Sequence, residues 1–237
     1  MKKVLYISFD GLTDPLGQSQ ILPYLENLSD IGHQITILSL EKEHNFRLNN
    51  RLVREKIKDR LIEWEFLFYK SSIPILSQFL NYSRLSRKAR NLFFLNRNSK
   101  FEIVHARSYL SGLIALQLKN KFKSNFLFDM RGFWVDERIE GGIWRLSNPV
   151  HKILYNYFKS KEKILIENAD AIVTLSQKAK LFIKNNFSIK NESKVVVIPC
   201  AVDLNLFSPT AKSLEAKNKL RSSLSISSEK FIVSYLG

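Results

Sequence analysis

The sequence predicts an α/β protein built on a Rossmann-like, doubly wound parallel sheet. Three observations lead there. Short apolar runs rich in β-branched and aromatic residues alternate along the chain with segments patterned at helical spacing. Several of these runs are almost continuously apolar, as parallel strands covered on both faces must be. The first of them ends in a loop of glycine, Asp-Pro and small polar residues that opens a helix, which is how such a sheet forms a ligand crevice.

The first strand, Val4 to Ser8, runs into the loop Asp10-Gly11-Leu12-Thr13-Asp14-Pro15-Leu16-Gly17-Gln18-Ser19-Gln20. Pro23 is tolerated only in a first helical turn, so the next helix should begin near Ser19 or Gln20. Ile21, Leu22, Leu25 and Leu28 form its apolar face, and Gly32 stops it before a second strand, Gln34 to Leu40. Leu61 to Tyr69 is the third strand. A helix follows in which Leu85, Ala89, Leu92 and Phe93 recur at helical spacing. Ile103 to His105 and Phe126 to Asp129 are the fourth and fifth strands. Asn148 can then cap a helix with Pro149 at its first position. Its apolar stripe is Val150, Ile153, Leu154, Tyr157, Phe158, Ile164 and Leu165. Ala171 to Leu175 and Val195 to Ile198 complete seven strands.

Beyond Pro209 a helix-like segment runs from Ala211 to Leu224, and Phe231 to Gly237 reads as a fresh buried strand. A lone strand cannot form a domain. The expected organisation is a Rossmann-like domain over residues 1–205, a linker and helix over 206–230, and the first strand of a second domain over 231–237.

Composition narrows the function. Cys200 is the sole cysteine, so no internal disulfide is possible and a reducing compartment suits the chain. His33, His44, His105 and His151 lack ligand-like spacing, so no metal site is expected. No apolar run approaches the roughly 18 residues of a spanning helix. The apolar stretch after Lys2 and Lys3 stops at Asp10, too short for an export signal, which points to a cytoplasmic protein. The formal charge of +15 calls for anionic partners: nucleic acid, a membrane surface or phosphorylated substrates. Arg84, Arg87, Lys88, Arg90, Arg97 and Lys100 fall in one acid-free stretch. It reads as a solvated helix face or as a basic amphipathic helix for peripheral contact with anionic membrane. No nucleic-acid-reading motif accompanies the charge.

Candidate site residues lie where strands end. Gly17, with Gln18 and Ser19 beside it, allows close backbone approach at a helix N-terminus, although the loop is not G-x-G-x-x-G and equally suits a ligand-free tight turn. The fourth strand delivers His105 and Arg107. The fifth delivers Asp129-Met130-Arg131-Gly132-Phe133-Trp134-Val135-Asp136-Glu137-Arg138. Convergence of Gly17, His105, Arg107, Arg131 and Asp136 at one sheet edge would form a polar pocket. A structural role for His105, and ion pairing of Arg131 and Arg138 with Asp129, Asp136 or Glu137, stay open.

A fourth segment is more specific. Ile198-Pro199-Cys200-Ala201-Val202-Asp203, then Phe207-Ser208-Pro209, follows Glu167-Asn168-Ala169-Asp170-Ala171-Ile172-Val173-Thr174-Leu175-Ser176. This pattern resembles the end of the N-terminal domain of glycosyltransferase family 4. The Asp10-to-Gln20 loop and Met130-Arg131-Gly132-Phe133-Trp134 resemble one bacterial branch of that family. The resemblance implies a GT-B enzyme with two Rossmann-like domains, the N-terminal one mainly binding acceptor. It implies a retaining transferase that uses a nucleotide-sugar as co-substrate and needs no metal or further cofactor. Surface polysaccharide or glycolipid assembly, on a glycan or lipid-linked acceptor at the inner face of the membrane, is the setting it suggests.

By position, Gly17, Gln18 and Ser19 would lie against donor phosphates or the transferred sugar. Arg107, Asp136, Glu137 and Arg138 would complete donor or acceptor binding, with Arg131 and His105 as catalytic candidates. Arg131 stands where many members carry histidine; arginine is always charged and cannot serve as a general base. The family's Glu-x7-Glu signature and its pyrophosphate-binding residues belong to the C-terminal domain, so residues 1–237 alone are expected to be inactive. The competing reading is a noncatalytic α/β module for phosphorylated ligands or nucleic acid.

Overall fold

The computed structural model describes residues 1–71, 74–95, 100–189, 191–202, 211–227 and 229–233. All seven expected strands are present: β1 (Lys3–Ile7), β2 (Gln34–Glu41), β3 (Ile62–Phe68), β4 (Ile103–Arg107), β5 (Asn125–Asp129), β6 (Ala171–Thr174) and β7 (Val195–Val197). They form one sheet of order β3-β2-β1-β4-β5-β6-β7, and every pairing is parallel. From β1 the chain winds outward to β3, then returns to lay β4 against the other side of β1. The boundary between β1 and β4 is therefore the topological switch point, where open α/β sheets leave a crevice at the strand carboxyl ends.

Period-two alternation along β1 feeds two cores. Leu5 and Ile7 join Val104, Phe126 and Phe128 on one face, with α3 (Pro74–Leu95), α4 (Ser108–Phe122) and α6 (Pro149–Asn168) supplying Leu85, Ile114 and Leu165. Val4 and Tyr6 join Ile35 and Ile37 on the other, where α1 (Leu22–Asp30) and α2 (Glu43–Ile57) supply Leu25 and Val53. Two short helices, α5 (Trp134–Glu140) and α7 (Gln177–Asn186), complete this part of the chain.

Local signals act largely as expected, with two differences. Helical winding begins at Pro15 and passes through a π-turn (Gly17–Ile21) into α1, earlier than Pro23 alone suggests. Asn148 Oδ1 accepts the Val150 and His151 amides at 2.9 and 3.3 Å, capping α6 with Pro149 at its first position. The α6 stripe, however, is only partly core. Leu165 is buried and Phe158 packs at the margin, while Val150, Ile153, Tyr157 and Ile164 are exposed. Its apolar positions spread around more of the helix than its neighbours cover.

In α3 the residues Leu85, Ala89, Leu92 and Phe93 are buried as their spacing predicts. Two of the cations in its basic stretch are engaged internally. Arg84 donates to the Phe68 carbonyl at 2.8 Å, and Lys88 pairs with Glu65 at 2.6 Å. Arg97 lies outside the described residues. No helix among the described residues is long and apolar enough to cross a membrane.

Two compact units are present, Met1–Pro199 and Cys200–Gly237. The second contains α8 (Ala211–Ser223), whose Arg221 donates to the Ser227 and Lys230 carbonyls at 2.5 and 2.6 Å. Residues 231–233 adopt no strand. The remainder of the expected strand, 234–237, and the motif residues Asp203, Phe207, Ser208 and Pro209 lie outside the described residues.

The loop after β1 is held by Glu41, the fully buried last residue of β2. Its Oε1 accepts the Leu12 amide at 2.8 Å and the Ser39 hydroxyl at 2.5 Å; Oε2 accepts the Thr13 amide at 3.1 Å and the Thr13 hydroxyl at 2.5 Å. A Cβ on Gly11 would fall 2.7 Å from Glu41 Oε2, and one on Gly17 would fall 2.0 Å from the Gly11 carbonyl oxygen. Both glycines therefore serve close approach of the chain to itself. Glu41→Leu leaves two buried amides without their charged acceptor and should cost about 3 kcal/mol in urea unfolding. A loss below about 1 kcal/mol would remove the anchoring role.

Candidate active site

Parallel register places Arg107, the last residue of β4, beside Asp129, the last residue of β5. Asp10 follows the end of β1, and Gln20 sits one turn into the helix that the first loop opens. These four residues meet at the switch point. The Arg107 side chain, only 5% exposed, donates from Nε to Asp10 Oδ2 at 3.2 Å and from Nη2 to Gln20 Oε1 at 3.2 Å. Its Nη1 lies 3.7 Å from Asp129 Oδ2.

Arg131 comes in from the third strand end. It occupies a left-handed φ of +59° in a γ-turn closed by the Gly132 amide on the Met130 carbonyl at 2.7 Å. Ser108, directly after Arg107, also has a positive φ of +66°. Non-glycine residues in this region cost of order 1 kcal/mol or more and concentrate at ligand sites. The turn aims the Arg131 guanidinium inward, where Nη2 donates to Gln20 Oε1 at 2.8 Å and Nη1 lies 3.8 Å from Asp129 Oδ1. One amide oxygen thus joins both arginines. Guanidinium groups only donate, so the Gln20 amide has one permitted orientation and its Nε2 hydrogens face away from them.

His105 lies beneath this pair. Its ring makes edge contacts with Tyr6 and Tyr24, at centroid distances of 4.6 and 5.8 Å, and is 3% exposed. Its Nε2 makes no hydrogen bond and stands 4.0 Å from Asp129 Oδ2. Burial, then the positive charges of Arg107 and Arg131, push its pKa down to about 3. The imidazole is therefore neutral and enclosed, which makes it a positioning member of the cluster rather than a group presented to substrate. Burial pushes the Asp129 carboxyl up to about 6, against the pull of Arg131 and Arg107.

The remaining candidates are placed differently. Gly17 faces the Gly11 carbonyl; Gln18 donates to the Thr13 carbonyl at 3.0 Å, and Ser19 to the Pro15 carbonyl at 2.8 Å. These side chains stabilise their own loop, as does the Gln18 amide, which donates to the Asp14 carbonyl at 3.0 Å, and Gln20 beyond them reaches both arginines. Asp136 turns toward α6 instead, accepting from Tyr155 at 3.0 Å and from Lys159 at 3.0 Å. Lys159 also bonds buried Glu162 at 2.5 Å, and Glu162 accepts a short hydrogen bond from Tyr109. Glu137 lies against Gly132, where a Cβ would come within 2.1 Å of its Oε1. Arg138 stacks over the Trp134 ring at 4.8 Å. So His105, Arg107 and Arg131 converge, while Asp136, Glu137 and Arg138 build the wall behind the Arg131 turn.

Gln20 and Asp10 are the members the sequence did not single out, whereas Asp129 is the ion-pair partner it offered for Arg131. Among the described residues no cluster of three or more His, Cys, Asp or Glu is placed to hold a metal ion. A groove of about 380 Å³ lies apart from this site, lined by Glu65 and Leu67 of β3 and by Arg84, Arg87 and Lys88 of α3.

Opposed pKa shifts in one buried pair have a measurable consequence. Asp129, raised above its ordinary 3.8, contributes stability at low pH that is lost as pH rises toward about 6. His105, lowered from 6.5 to about 3, contributes stability that is gained as pH rises through that interval. Between about pH 4 and 6 the two slopes oppose one another. His105→Leu should therefore make stability fall more steeply with rising pH than in the native chain, measured by urea unfolding across this range. Parallel pH profiles would contradict the lowered pKa of His105.

Known proteins give these features a context. The model of Glycosyltransferase Family 4 matches residues 21–206. No curated protein matches the chain significantly. Sucrose-phosphate synthase from Thermosynechococcus elongatus is similar over 97% of this chain and 54% of its own length, at 16% identity and a TM-score of 0.62. HepE from Anabaena, solved in complex with UDP and glucose, is similar over 94% of this chain and 50% of its own, at 12% identity and a TM-score of 0.56. UGT89C1 from Arabidopsis thaliana, complexed with UDP-L-rhamnose, is similar over 95% and 64% respectively, at 12% identity and a TM-score of 0.54. At such identities the likeness is one of fold, that of GT-B proteins. The chain spans about half the length of the first two.

Proposed function

The chain belongs to Glycosyltransferase Family 4, and on that premise we propose that the whole protein moves a sugar from a nucleotide-sugar donor to a glycan or lipid-linked acceptor, with retention of configuration. The observation that carries this reading is the pair of guanidiniums, Arg107 and Arg131, joined through Gln20 at the switch point. Family membership favours an enzyme over a noncatalytic binding module.

In such a transfer the bond from the sugar C1 to the phosphate oxygen breaks, and a bond from C1 to the acceptor oxygen forms. Nucleoside diphosphate departs with the electron pair, and its leaving phosphate oxygen takes up the proton that the acceptor hydroxyl gives up. Arg131 cannot take that proton, but its fixed positive charge can stabilise charge developing at the reacting sugar or the departing phosphate. The Gln20 oxygen and Asp129 hold the guanidinium so that little reorganisation accompanies the step. Arg107, nearly enclosed, orients Gln20 and Asp10. The outward Nε2 of Gln20 supplies a donor for sugar or phosphate oxygens. No metal is required in this scheme, and the nucleotide-sugar is the sole co-substrate. The proposed setting is the cytoplasmic side of the membrane, in surface polysaccharide or glycolipid synthesis.

Release of nucleoside diphosphate from a panel of nucleotide-sugars is the direct test. The whole protein should turn over at least one donor, whereas residues 1–237 alone should turn over none, because donor and acceptor must be held together. In the whole protein Arg131→Ala should lower kcat by about 10²-fold or more with a smaller change in KM. Transfer by residues 1–237 alone would overturn the division of labour; native kcat in Arg131→Ala would remove the role of that residue.

A further inference from the structure

No Asp or Glu occurs between Glu140 and Glu162, and this span carries Arg145, Lys152, Lys159 and Lys161. Within it Ile143, Leu146, Val150, Ile153 and Tyr157 are all exposed, Ile153 at 68%. The last three recur at spacings of three and four on α6, so they form one helical stripe turned away from the core. A soluble helix of this kind ordinarily carries charged or polar residues on that face.

Position adds to the argument. In a parallel sheet each crossover helix runs back against its strands, so the start of α6 lies at the carboxyl edge. Asp136 fixes this end of α6 to α5 through Tyr155 and Lys159, and α5 directly follows the Arg131 turn. The start of the apolar stripe therefore lies at the same sheet edge as the crevice. Lys152 is exposed beside Ile153, and Lys161 lies 5.1 Å from the Tyr157 ring centroid. Aliphatic and tyrosine side chains rimmed by cations, with no acid among them, match the boundary of an anionic lipid leaflet.

We propose that the segment from Ile143 to Tyr157 is a membrane-contact surface that seats the crevice at the headgroup layer of an anionic bilayer. The acid-free stretch of α3 is a weaker candidate, since Arg84 and Lys88 already serve carbonyl and carboxylate partners within the fold. The inference extends the transferase reading by fixing how a lipid-linked acceptor reaches the site. It is tested without sugar transfer, so each fails separately.

The whole protein is sedimented with phosphatidylcholine vesicles that contain or lack phosphatidylglycerol. Native protein should pellet with the anionic vesicles and be released by salt. Ile153→Asp, at an exposed position, should weaken pelleting by about tenfold or more. It should leave the thermal midpoint unchanged, and Arg87→Glu on α3 should bind nearly as well as native protein. Equal pelleting of Ile153→Asp and native protein would overturn the proposal, as would failure of native protein to bind. Light scattering that shows a dimer dissolved by Ile153→Asp would assign the stripe to a second copy of the chain instead.

Discussion

Everything at the crevice depends on one buried carboxylate. Glu41 ends β2, and its two carboxyl oxygens take four donors from Leu12, Thr13 and Ser39. Hydrogen bonds to a charged acceptor are stronger than neutral ones, and burial makes their loss expensive. The anchored loop folds back so closely that Gly11 and Gly17 leave no room for a side chain. Only with that loop fixed does Gln20 arrive between two arginines. The geometry of the site is thus set on β2, three strands across the sheet from β5, beyond which Arg131 lies.

The arginine cluster is balanced rather than simply positive. Arg107 and Arg131 face Asp10 and Asp129, and His105 stays neutral under them. An unpaired buried guanidinium would be costly, whereas a paired one can be held in place and still direct hydrogens outward. Arg107 is spent almost wholly on internal partners. Arg131, on a strained turn and partly exposed, is the member whose charge reaches the crevice. That division follows from register: Arg107 lies within a strand and pairs across to Asp129, while Arg131 lies two residues beyond the sheet.

The fold was legible because its signals are local. Continuous apolar runs identified seven strands, Asn148 and Pro149 marked the start of α6, and Gly32, at a φ of +95°, ended α1. Site legibility was partial, since strand-end position brought out His105, Arg107 and Arg131 but not the groups that join them. Gln20 carries no chemistry of its own and matters only because two arginines from distant strands meet it. Glu41 reads in sequence as the polar end of a strand. Asp136 follows a strand end as Arg131 does, yet α5 carries it round toward Lys159 and Tyr155. The α6 stripe misled for the opposite reason: helical periodicity reports which residues are apolar, and burial depends on what packs against them.

The wall behind the Arg131 turn shows why such a strained loop can persist. Tyr109, Glu162, Lys159, Asp136 and Tyr155 form a continuous polar chain linking α4, α6 and α5. Glu162 is fully buried, so removing Lys159 would take away its one cationic partner. Trp134 packs among Tyr109, Trp144 and Phe158 over the same ground, adding apolar area and aromatic edge contacts. Polar and aromatic contacts together over-determine where α5 sits, and α5 directly follows the γ-turn. Rigidity on the inner side of this wall and an uncovered apolar stripe on its outer side arise from the same helix. α6 spends Glu162 and Leu165 on the core, Tyr155 and Lys159 on the wall, and leaves Val150, Ile153 and Tyr157 to whatever the protein meets.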